Sequence, residues 1–406
     1  MKSRRTAAHL FRLAAAIALG FGSVTAAQAQ DAAPGLAPTF SVLHHFTGWP
    51  RDGQNPTGAL TPAGDGGYYG ATAMGGFPGF GTIYELNADG TVTLLHSFSS
   101  DEGQSPNGWL VSDAQGNLYG TAQSGGSGSD FVCPAGCGTI FKLVPDGHLA
   151  VLYQFDNQSG YAPLGGLLRD AEGNLFGTTN LDQGTAFMLT PSGQYTILHY
   201  FQGRGGYAPE GGLIQDSVGN IYGTTRRSVS GSGGGVVYQL TQSGEYTVLH
   251  DFYGGHKGIT PSGGVVGDAD GNLYGVTTGG GNASCQPDGC GTVFKLAPDG
   301  TLTMLYRFKN PADGFSPQSL VVDEAAGVLY GTTAYGGPVS ARCPSGCGTV
   351  FMIVSKGDKR TLHTFHGIDG DFPNSLIKGQ GSELIGTTSK GGSRGAGVIF
   401  RLQFSQ

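Results

Sequence analysis

The feature that most constrains the fold is an internal repeat. An aromatic or aliphatic residue followed by glycine recurs about every 50 residues, and most copies continue as Thr-Thr. The seven copies are Tyr69-Gly70, Tyr119-Gly120, Phe176-Gly177, Tyr222-Gly223, Tyr274-Gly275, Tyr330-Gly331 and Ile385-Gly386. A period of this size fits one four-stranded propeller blade per repeat. The sequence therefore predicts an all-β, seven-bladed β-propeller.

Alternation and turn residues predict four antiparallel strands, a to d, in each unit. In the fifth unit these strands lie near 263–267, 273–277, 291–296 and 302–308, and a GxxP segment, Gly258 to Pro261, precedes them. The 75 glycines disfavour a helical architecture because glycine destabilises helix interiors. A chain with 38% hydrophobic residues can nevertheless bury a sizeable interior, so a disordered coil is also excluded.

The two ends of the chain predict how the ring closes. Phe40 to Phe46 matches strand d, although no a, b or c strand precedes it, whereas the last unit supplies a, b and c and ends at Leu402. The N-terminal strand is therefore predicted to complete the last blade and to cover its open edge. A linear β-solenoid is the alternative, but it gives no reason for the displaced strand.

The N-terminal segment has the pattern of an export signal. An apolar stretch at 13–24 follows four basic residues, Lys2, Arg4, Arg5 and Arg12, and precedes Ala27-Gln28-Ala29. We predict a signal peptide at 1–29, a single propeller domain at 30–406, and a secreted or periplasmic location. Removing the signal makes the chain more acidic than its full net charge of −7, which disfavours nucleic acid as a partner. No other segment is apolar enough for a membrane span, and we expect a monomer.

Several segments resemble a known family. The motifs GNLYGTT, GTVFKL and LHxF, as in 271–276, 291–296 and 249–252, recur in fixed order over roughly residues 40 to 402. They resemble the Gloeobacter/Verrucomicrobia tandem repeat, called GloVer, of exported bacterial proteins. The resemblance implies export and a repetitive, propeller-like fold. It supplies no reaction and no catalytic residues.

All six cysteines fall in b–c connections as local pairs: Cys133 and Cys137, Cys285 and Cys290, Cys343 and Cys347. In an exported protein such pairs predict three short-range disulfides. The alternative is a four-thiolate zinc site built from the pairs of units five and six. An oxidising compartment and the isolated third pair both disfavour that alternative.

Five histidines occupy one position of strand d: His44, His96, His199, His250 and His363, with Tyr153 and Tyr306 in the other two units. One histidine per blade on the outermost strand spaces them around the circumference, so they cannot converge on one ion. We therefore predict no metal site and no cofactor. The histidines are expected to pack against the next blade and to be hydrogen-bonded there.

Propeller geometry separates two faces. The d–a and b–c connections emerge on one face, here called the loop face, and the a–b and c–d turns emerge on the other, here called the hairpin face. The hairpin-face turns are nearly identical between units, whereas the loops vary, and variable loops on a rigid scaffold usually carry binding. The loop-face residues predicted to contact a ligand are Trp49, Arg51, Asp52, Tyr161, Arg204, Tyr207, His256, Phe315 and Phe372.

Aromatic rings with sparse charges on one face suit a glycan or a peptide. A competing interpretation is that Tyr161, Tyr207, Phe315 and Phe372, all within GxxP segments, pack blade against blade. The leading hypothesis is a non-catalytic binding module. The alternative is an extracellular propeller lyase or hydrolase acting on polysaccharide or a related substrate, for which His256 is the loop histidine best placed.

Overall fold

The computed structural model describes residues 37–405 except 129–130, 181–182, 229–233, 254, 286–287 and 355–356. The predicted signal peptide, 1–29, lies outside the described residues. The described chain forms seven sheets of four antiparallel strands arranged as blades of a β-propeller, as the repeat predicts. In blade 2 strand a is split in two, which gives that sheet a fifth short strand.

The first four blades follow the N-terminal strand, β1 (Thr39–His45). Blade 1 consists of β2 (Gly53–Pro62), β3 (Tyr68–Gly75), β4 (Thr82–Leu86) and β5 (Val92–Ser97). Blade 2 consists of β6 (Gln104–Pro106), β7 (Val111–Ser112), β8 (Leu118–Ser124), β9 (Thr139–Leu143) and β10 (Leu149–Gln154). Blade 3 consists of β11 (Leu168–Arg169), β12 (Leu175–Thr179), β13 (Thr185–Leu189) and β14 (Tyr195–Tyr200). Blade 4 consists of β15 (Ile214–Gln215), β16 (Ile221–Thr225), β17 (Val236–Leu240) and β18 (Tyr246–Asp251).

The remaining blades follow in the same order. Blade 5 consists of β19 (Ile259–Gly267), β20 (Leu273–Gly279), β21 (Thr292–Leu296) and β22 (Leu302–Arg307). Blade 6 consists of β23 (Phe315–Asp323), β24 (Val328–Tyr335), β25 (Thr349–Val354) and β26 (Lys359–Thr364). Blade 7 takes β27 (Asp371–Lys378), β28 (Glu383–Lys390) and β29 (Val398–Gln403) from the end of the chain. Short 3-10 helices lie at Gly203–Gly205, Gly255–Lys257 and Pro311–Asp313, and none of the described helices is long or apolar enough to cross a membrane.

Blade 7 is completed by the N-terminal strand. β1 pairs antiparallel with β29, with Thr39 opposite Gln403 and His45 opposite Val398. The sheet order is β1, β29, β28, β27 from the rim to the axis. The predicted closure of the ring by the N-terminal strand is therefore confirmed.

The core lies between blades and is built from one aromatic contact repeated around the ring. The phenylalanine at the end of each strand d is almost fully buried, as Phe46 and Phe252 illustrate. It meets the aromatic residue of strand c in the next blade at centroid distances of 5.1 to 5.3 Å, as Phe252 meets Phe294. This contact also explains the repeated glycine of strand b, because a Cβ on Gly275 would lie 2.4 Å from the Phe294 ring.

The GxxP segment links neighbouring blades. Its third residue has a positive φ between 54° and 60° in every blade, although none of the seven is glycine. In this conformation the backbone N–H reaches the preceding blade: Ser316 donates to the Cys290 carbonyl at 3.1 Å and Asn55 donates to the Ala396 carbonyl at 2.8 Å. The segment is thus part of strand a or of its approach, and in blade 5 strand a begins at Ile259 rather than near Gly263.

The cysteines form the three predicted disulfides. Cys133 is bonded to Cys137, Cys285 to Cys290 and Cys343 to Cys347, with Cα separations of 5.1, 4.8 and 5.2 Å. The second cysteine of each pair offers its carbonyl to the GxxP segment of the next blade. The alternative four-thiolate site is excluded because its sulfurs are paired within their own loops.

Candidate functional site

The five strand d histidines lie on the outermost strands, where each imidazole meets the buried phenylalanine two residues further on. His363 and Phe365, for example, have ring centroids 4.8 Å apart in an edge-to-face arrangement. A residue from the next blade's strand d stacks on some of these rings: Phe40 on His363 at 3.5 Å and Tyr246 on His199 at 3.9 Å. These contacts are packing between blades at the rim, away from the axis.

In four units, an acidic residue directly before the GxxP glycine is the partner of the strand d histidine or tyrosine. His44 lies 3.3 Å from Asp52, His96 lies 3.2 Å from Glu102, His363 lies 2.9 Å from Asp369, and the Tyr306 hydroxyl donates to Asp313 at 2.8 Å. Sequence reasoning missed this partnership. The available signal was an acidic residue in front of the GxxP glycine in four of the seven units.

Asp52, one of the predicted ligand contacts, makes its hydrogen bonds at the d–a connection that precedes blade 1. Its carboxylate accepts hydrogen bonds from the backbone N–H groups of Thr47 and Gly53, both at 2.7 Å, besides its contact with His44. Burial raises the pKa of Asp52, but the hydrogen bonds from His44, Thr47 and Gly53 outweigh burial and hold that pKa below its usual value. Asp52 therefore stays ionised and stabilises the d–a connection.

The strand d histidines of blades 3 and 4, His199 and His250, are followed at this position by Gly205 and Lys257, and so by no carboxylate. We expect these two histidines to make the free energy of unfolding depend on pH. Burial lowers the pKa of His199, and burial together with Lys257 lowers the pKa of His250. The unfolded chain protonates histidine near pH 6.5, so below that pH the unfolded state binds more protons and the free energy of unfolding falls. We expect the double variant His199→Tyr, His250→Tyr to lose less stability between pH 7.5 and 5.5 than the wild type in urea denaturation.

Tyrosine is a suitable replacement because Tyr153 and Tyr306 occupy the same position in blades 2 and 5. His148→Tyr, at an exposed position of a c–d turn, is the matched control and should leave the pH dependence unchanged. The pKa values of Asp52 and Glu102 are lowered, so these carboxyls titrate below the chosen range. A double variant with the wild-type pH dependence would contradict the assignment.

The candidate site is a groove on the loop face, over blades 4 to 7. It has a volume of about 890 Å³ and is here called the loop-face groove. Its aromatic and charged lining residues are Tyr207, Phe315, Tyr335, Phe372, Glu210, Arg226, Arg227 and Asp288. The rings of Phe315 and Tyr335 are stacked at 5.1 Å, and Phe372 meets Tyr335 edge-on at 5.3 Å. One wall of the groove is therefore a continuous group of three half-buried rings.

Charges of both signs lie opposite this wall. Arg226 forms an ion pair with Glu210 at 3.3 Å, and Asn180 donates to the same carboxylate at 3.2 Å. Arg227 is exposed, and its backbone forms an isolated β-bridge with Tyr207. The groove can therefore offer a ligand apolar ring faces on one side and charged hydrogen-bonding groups on the other.

The structure brings together only some of the predicted ligand contacts. Tyr207, Phe315 and Phe372 line the loop-face groove, while Arg204 is exposed in the d–a connection before blade 4. Tyr161 and Phe315 also pack against the clusters that contain the Cys133–Cys137 and Cys285–Cys290 disulfides, so blade packing accounts for part of their surface.

The other predicted contacts lie towards the rim. Trp49 and Arg51 are exposed in the d–a connection before blade 1. His256 Nδ1 lies 3.3 Å from the Gly281 carbonyl, and the His256 carbonyl accepts a hydrogen bond from Arg307 of the outer strand β22. His256 is therefore tied to blade 5 and lines neither the groove nor the axial opening.

The axial opening on the loop face is ringed by the residue that follows the GxxP proline in each blade. These residues are Thr57, Asn107, Leu164, Glu210, Ser262, Gln318 and Asn374. Several hydrogen-bond to the next blade, as Asn374 does to the Pro56 carbonyl at 2.8 Å and Thr57 does to the Pro106 carbonyl at 2.9 Å. Glu210 is the one ionisable side chain of this ring and is shared with the groove.

One group of metal-ligating side-chain types occurs within the described part of the chain. Ligand atoms of Cys343, Cys347 and Asp371 lie within 4.8 Å of one another. Both sulfurs are bonded in a disulfide, and a zinc ligand must be a thiolate. The group therefore does not fit a metal ion while the disulfide is formed.

Exposed apolar side chains concentrate on the same face. Among the described residues, the large apolar side chains that are more than half exposed lie mostly in d–a or b–c connections: Trp49, Phe77, Phe131, Tyr253, Val339 and Ile368. Tyr200, at the end of a strand d, and Val218, in a hairpin-face turn, are the exceptions. The loop face therefore carries both the groove and most of the large exposed apolar side chains.

Comparison with known proteins gives a family and a fold. The Gloeobacter/Verrucomicrobia repeat matches residues 33–182 and 180–400. No curated protein matches the chain. Among solved structures, a streptogramin B lyase has 14% identity and a TM-score of 0.62, covering 90% of this chain and 98% of that one.

Two extracellular domains from B. thetaiotaomicron are also similar. One, of a protein described as a one-component system, has 14% identity and a TM-score of 0.55 over 90% of this chain and 42% of that one. The other, of a protein described as a hybrid two-component system, has 11% identity and a TM-score of 0.54 over 87% and 40%. At such identities the likeness is one of fold alone.

Proposed function

The chain belongs to the Gloeobacter/Verrucomicrobia repeat family, and from this premise we propose that it is an exported, monomeric binding module that holds a glycan or a peptide on its loop face. The observation that carries the proposal is the loop-face groove, with its three contacting rings and its charged opposite side. In this proposal the mature domain spans residues 30–406. A secreted or periplasmic location accords with its three disulfides.

The composition of the groove lining supports binding over reaction. Aromatic faces stack against the apolar faces of sugar rings or side chains, and a few charged groups fix the orientation of the ligand. A catalytic site would bring several ionisable groups to one reacting centre. Glu210, which lies at both the groove and the axial opening, is instead engaged by Arg226 and Asn180.

The test is a glycan array with the mature chain, followed by calorimetry on the glycans that bind. We expect Tyr335→Ala and Arg227→Ala each to weaken binding about tenfold, which corresponds to about 1.4 kcal/mol. Tyr335→Ala removes the central ring of the aromatic wall, and Arg227→Ala removes an exposed charge from the groove lining. Tyr200→Ala, at an exposed position of outer strand β14, is the matched control and should bind as the wild type does.

The same assay separates the competing sites and functions. Loss of binding in Trp49→Ala, with Tyr335→Ala unaffected, would move the site to the corner before blade 1. Unaltered binding in variants of Tyr335, Arg227, Trp49 and Arg204 would exclude the loop face altogether. Turnover of a bound glycan would favour the lyase or hydrolase interpretation over a binding module.

A further inference from the structure

One of the three disulfides has a carboxylate beside it where the other two have an aromatic ring. Cys343 and Cys347 lie in the b–c connection of blade 6, and their sulfurs are within 4.8 Å of a carboxylate oxygen of Asp371. The residue equivalent to Asp371, directly after the GxxP glycine, is aromatic beside the other two disulfides, as Tyr161 and Phe315. A ring covers a disulfide with apolar surface, whereas a carboxylate supplies an anionic oxygen. The third cysteine pair is therefore chemically unlike the other two.

The loop that carries this pair is held by backbone hydrogen bonds that do not involve the sulfurs. The backbone N–H of Gly336 donates to the Ser345 carbonyl at 2.9 Å, inside the loop. The Cys347 carbonyl accepts from the backbone N–H of Phe372 at 3.1 Å, which fixes the start of β27 against the loop. Because Asp371 is the first residue of β27, we expect its carboxylate and the two sulfurs to stay close together when the disulfide is reduced.

The Asp371 carboxylate is available to a ligand. It takes part in none of the ion pairs between described residues. Lys390 lies opposite Asp371 in the sheet, but its ammonium lies over the Phe372 ring, 5.6 Å from the ring centroid. Asp369, two residues earlier, is by contrast paired with His363 at 2.9 Å. The half-buried Asp371 therefore differs from the carboxylates that stabilise the d–a connections.

We propose that Cys343, Cys347 and Asp371 bind one thiophilic divalent cation, of the zinc class, when this disulfide is reduced. A dithiol reductant supplies two electrons and two protons and becomes a disulfide itself, while the S–S bond breaks to give two thiols. The cation then displaces both thiol protons, so that two thiolates and one carboxylate hold it, with water in the fourth position. The proposal does not depend on the proposed glycan or peptide function.

The spacing of the three residues suits such a site. Zinc binds sulfur at about 2.3 Å and oxygen at about 2.0–2.2 Å, so the ligand atoms of a tetrahedral site lie roughly 3.5–4 Å apart. The three ligand atoms now lie within 4.8 Å of one another, and the two cysteine Cα atoms are 5.2 Å apart. Side-chain rotation can therefore separate the freed sulfurs and bring them, with the carboxylate, to the spacing that zinc requires.

Cobalt is the probe for this site, because Co²⁺ can replace Zn²⁺ and its thiolate complexes absorb visible light. The mature chain is reduced with tris(2-carboxyethyl)phosphine, which is oxidised to the phosphine oxide while water supplies the thiol protons, and is titrated with Co²⁺ without oxygen. We expect one tight site per chain, with the d–d bands of tetrahedral cobalt, and we expect Zn²⁺ to abolish these bands. The oxidised chain should give no such bands, because its sulfurs remain bonded to each other.

Two double variants locate the site. Cys343→Ser, Cys347→Ser should abolish the tight cobalt bands. Cys133→Ser, Cys137→Ser is the matched control and should keep them, because this pair has the same spacing and the same CPxGC sequence but packs against Tyr161. Loss of the bands in the control variant, with the bands kept in the first, would overturn the proposal.

Asp371→Asn tests the third ligand and leaves every cysteine in place, so it decides the question if a serine variant does not fold. It should weaken cobalt binding at least about tenfold, a difference of about 1.4 kcal/mol. Binding equal to that of the wild type would overturn the proposal, as would the same bands in the oxidised chain. Loss of the fold on reduction, followed by circular dichroism, would also overturn it, because the ligands come from two segments that only the fold brings together.

Discussion

A chain that begins at Gly48, and so lacks β1 and Phe46, is expected to be unfolded or aggregated under conditions in which the mature chain is stable. The deletion exposes the hydrogen-bonding edge of β29 and uncovers Ile399 and Phe400, which are now fully buried. It also removes Phe46 from its contact with Tyr84. Each large apolar side chain contributes about 2 kcal/mol on burial, against about 5–15 kcal/mol for a whole domain.

A circular permutant controls for the covalent order of the strands. Because Thr39 lies opposite Gln403, a two-residue Asn-Gly turn can join Gln403 to Thr39 in a chain that begins at Gly48 and ends at Thr47. This permutant restores every strand, and guanidinium unfolding should give it a midpoint near that of the mature chain. A deleted chain as stable as the permutant would mean that β1 does not hold the ring closed.

The fold was predictable because its signals are local and repeated. Turns such as Pro298-Asp299-Gly300 and the alternation of strand c each indicate a four-stranded unit, and the unit recurs seven times. A weak signal in one copy is therefore supported by the other copies. The terminal closure followed from the same repetition, since Phe40 to Phe46 matched strand d without a blade of its own. The disulfides followed from pairs of cysteines four or five residues apart.

Contacts between blades were harder to predict because they join residues of two different repeat units. The GxxP segment was recognised as a motif, but its role as a hydrogen-bond donor to the preceding blade depends on positive φ values that the sequence does not state. The pairing of His363 with Asp369 could not be predicted without the geometry of the d–a connection. The packing of Trp109 against Gly166 and Gly212 was not predicted, although a tryptophan at a position where those two units have glycine was the available signal.

The candidate site was predictable only as a face. Loop variability predicts binding on the loop face, and Tyr207, Phe315 and Phe372 of the predicted residues line the groove there. Which loops approach one another depends on blade number and on loop conformation. The sequence therefore gave no reason to separate these three residues from Trp49 at the rim, or to include Glu210 and Asp288.

Gly291→Ala is expected to lower the free energy of unfolding by about 3–5 kcal/mol, because left-handed strain and a close contact between blades act together. Gly291 has φ of +91° and precedes strand c of blade 5. A Cβ there would lie 2.4 Å from the Thr277 carbonyl oxygen and 2.6 Å from Cδ of Pro317, the GxxP proline of blade 6. Neither neighbour can move without shifting a backbone, so the substitution forces the two blades apart.

Gly300→Ala separates the two causes. Gly300 has a similar φ of +85° but lies in an exposed turn with nothing within 4 Å of the added Cβ, so its loss should be about 1 kcal/mol from backbone strain alone. Urea denaturation of both variants measures the difference, which is the contribution of the glycine–proline contact between blades. Equal losses would show that backbone conformation, and not the approach of Pro317, explains the glycine before strand c, and the GxxP segment would then lose its role as the connector of the ring.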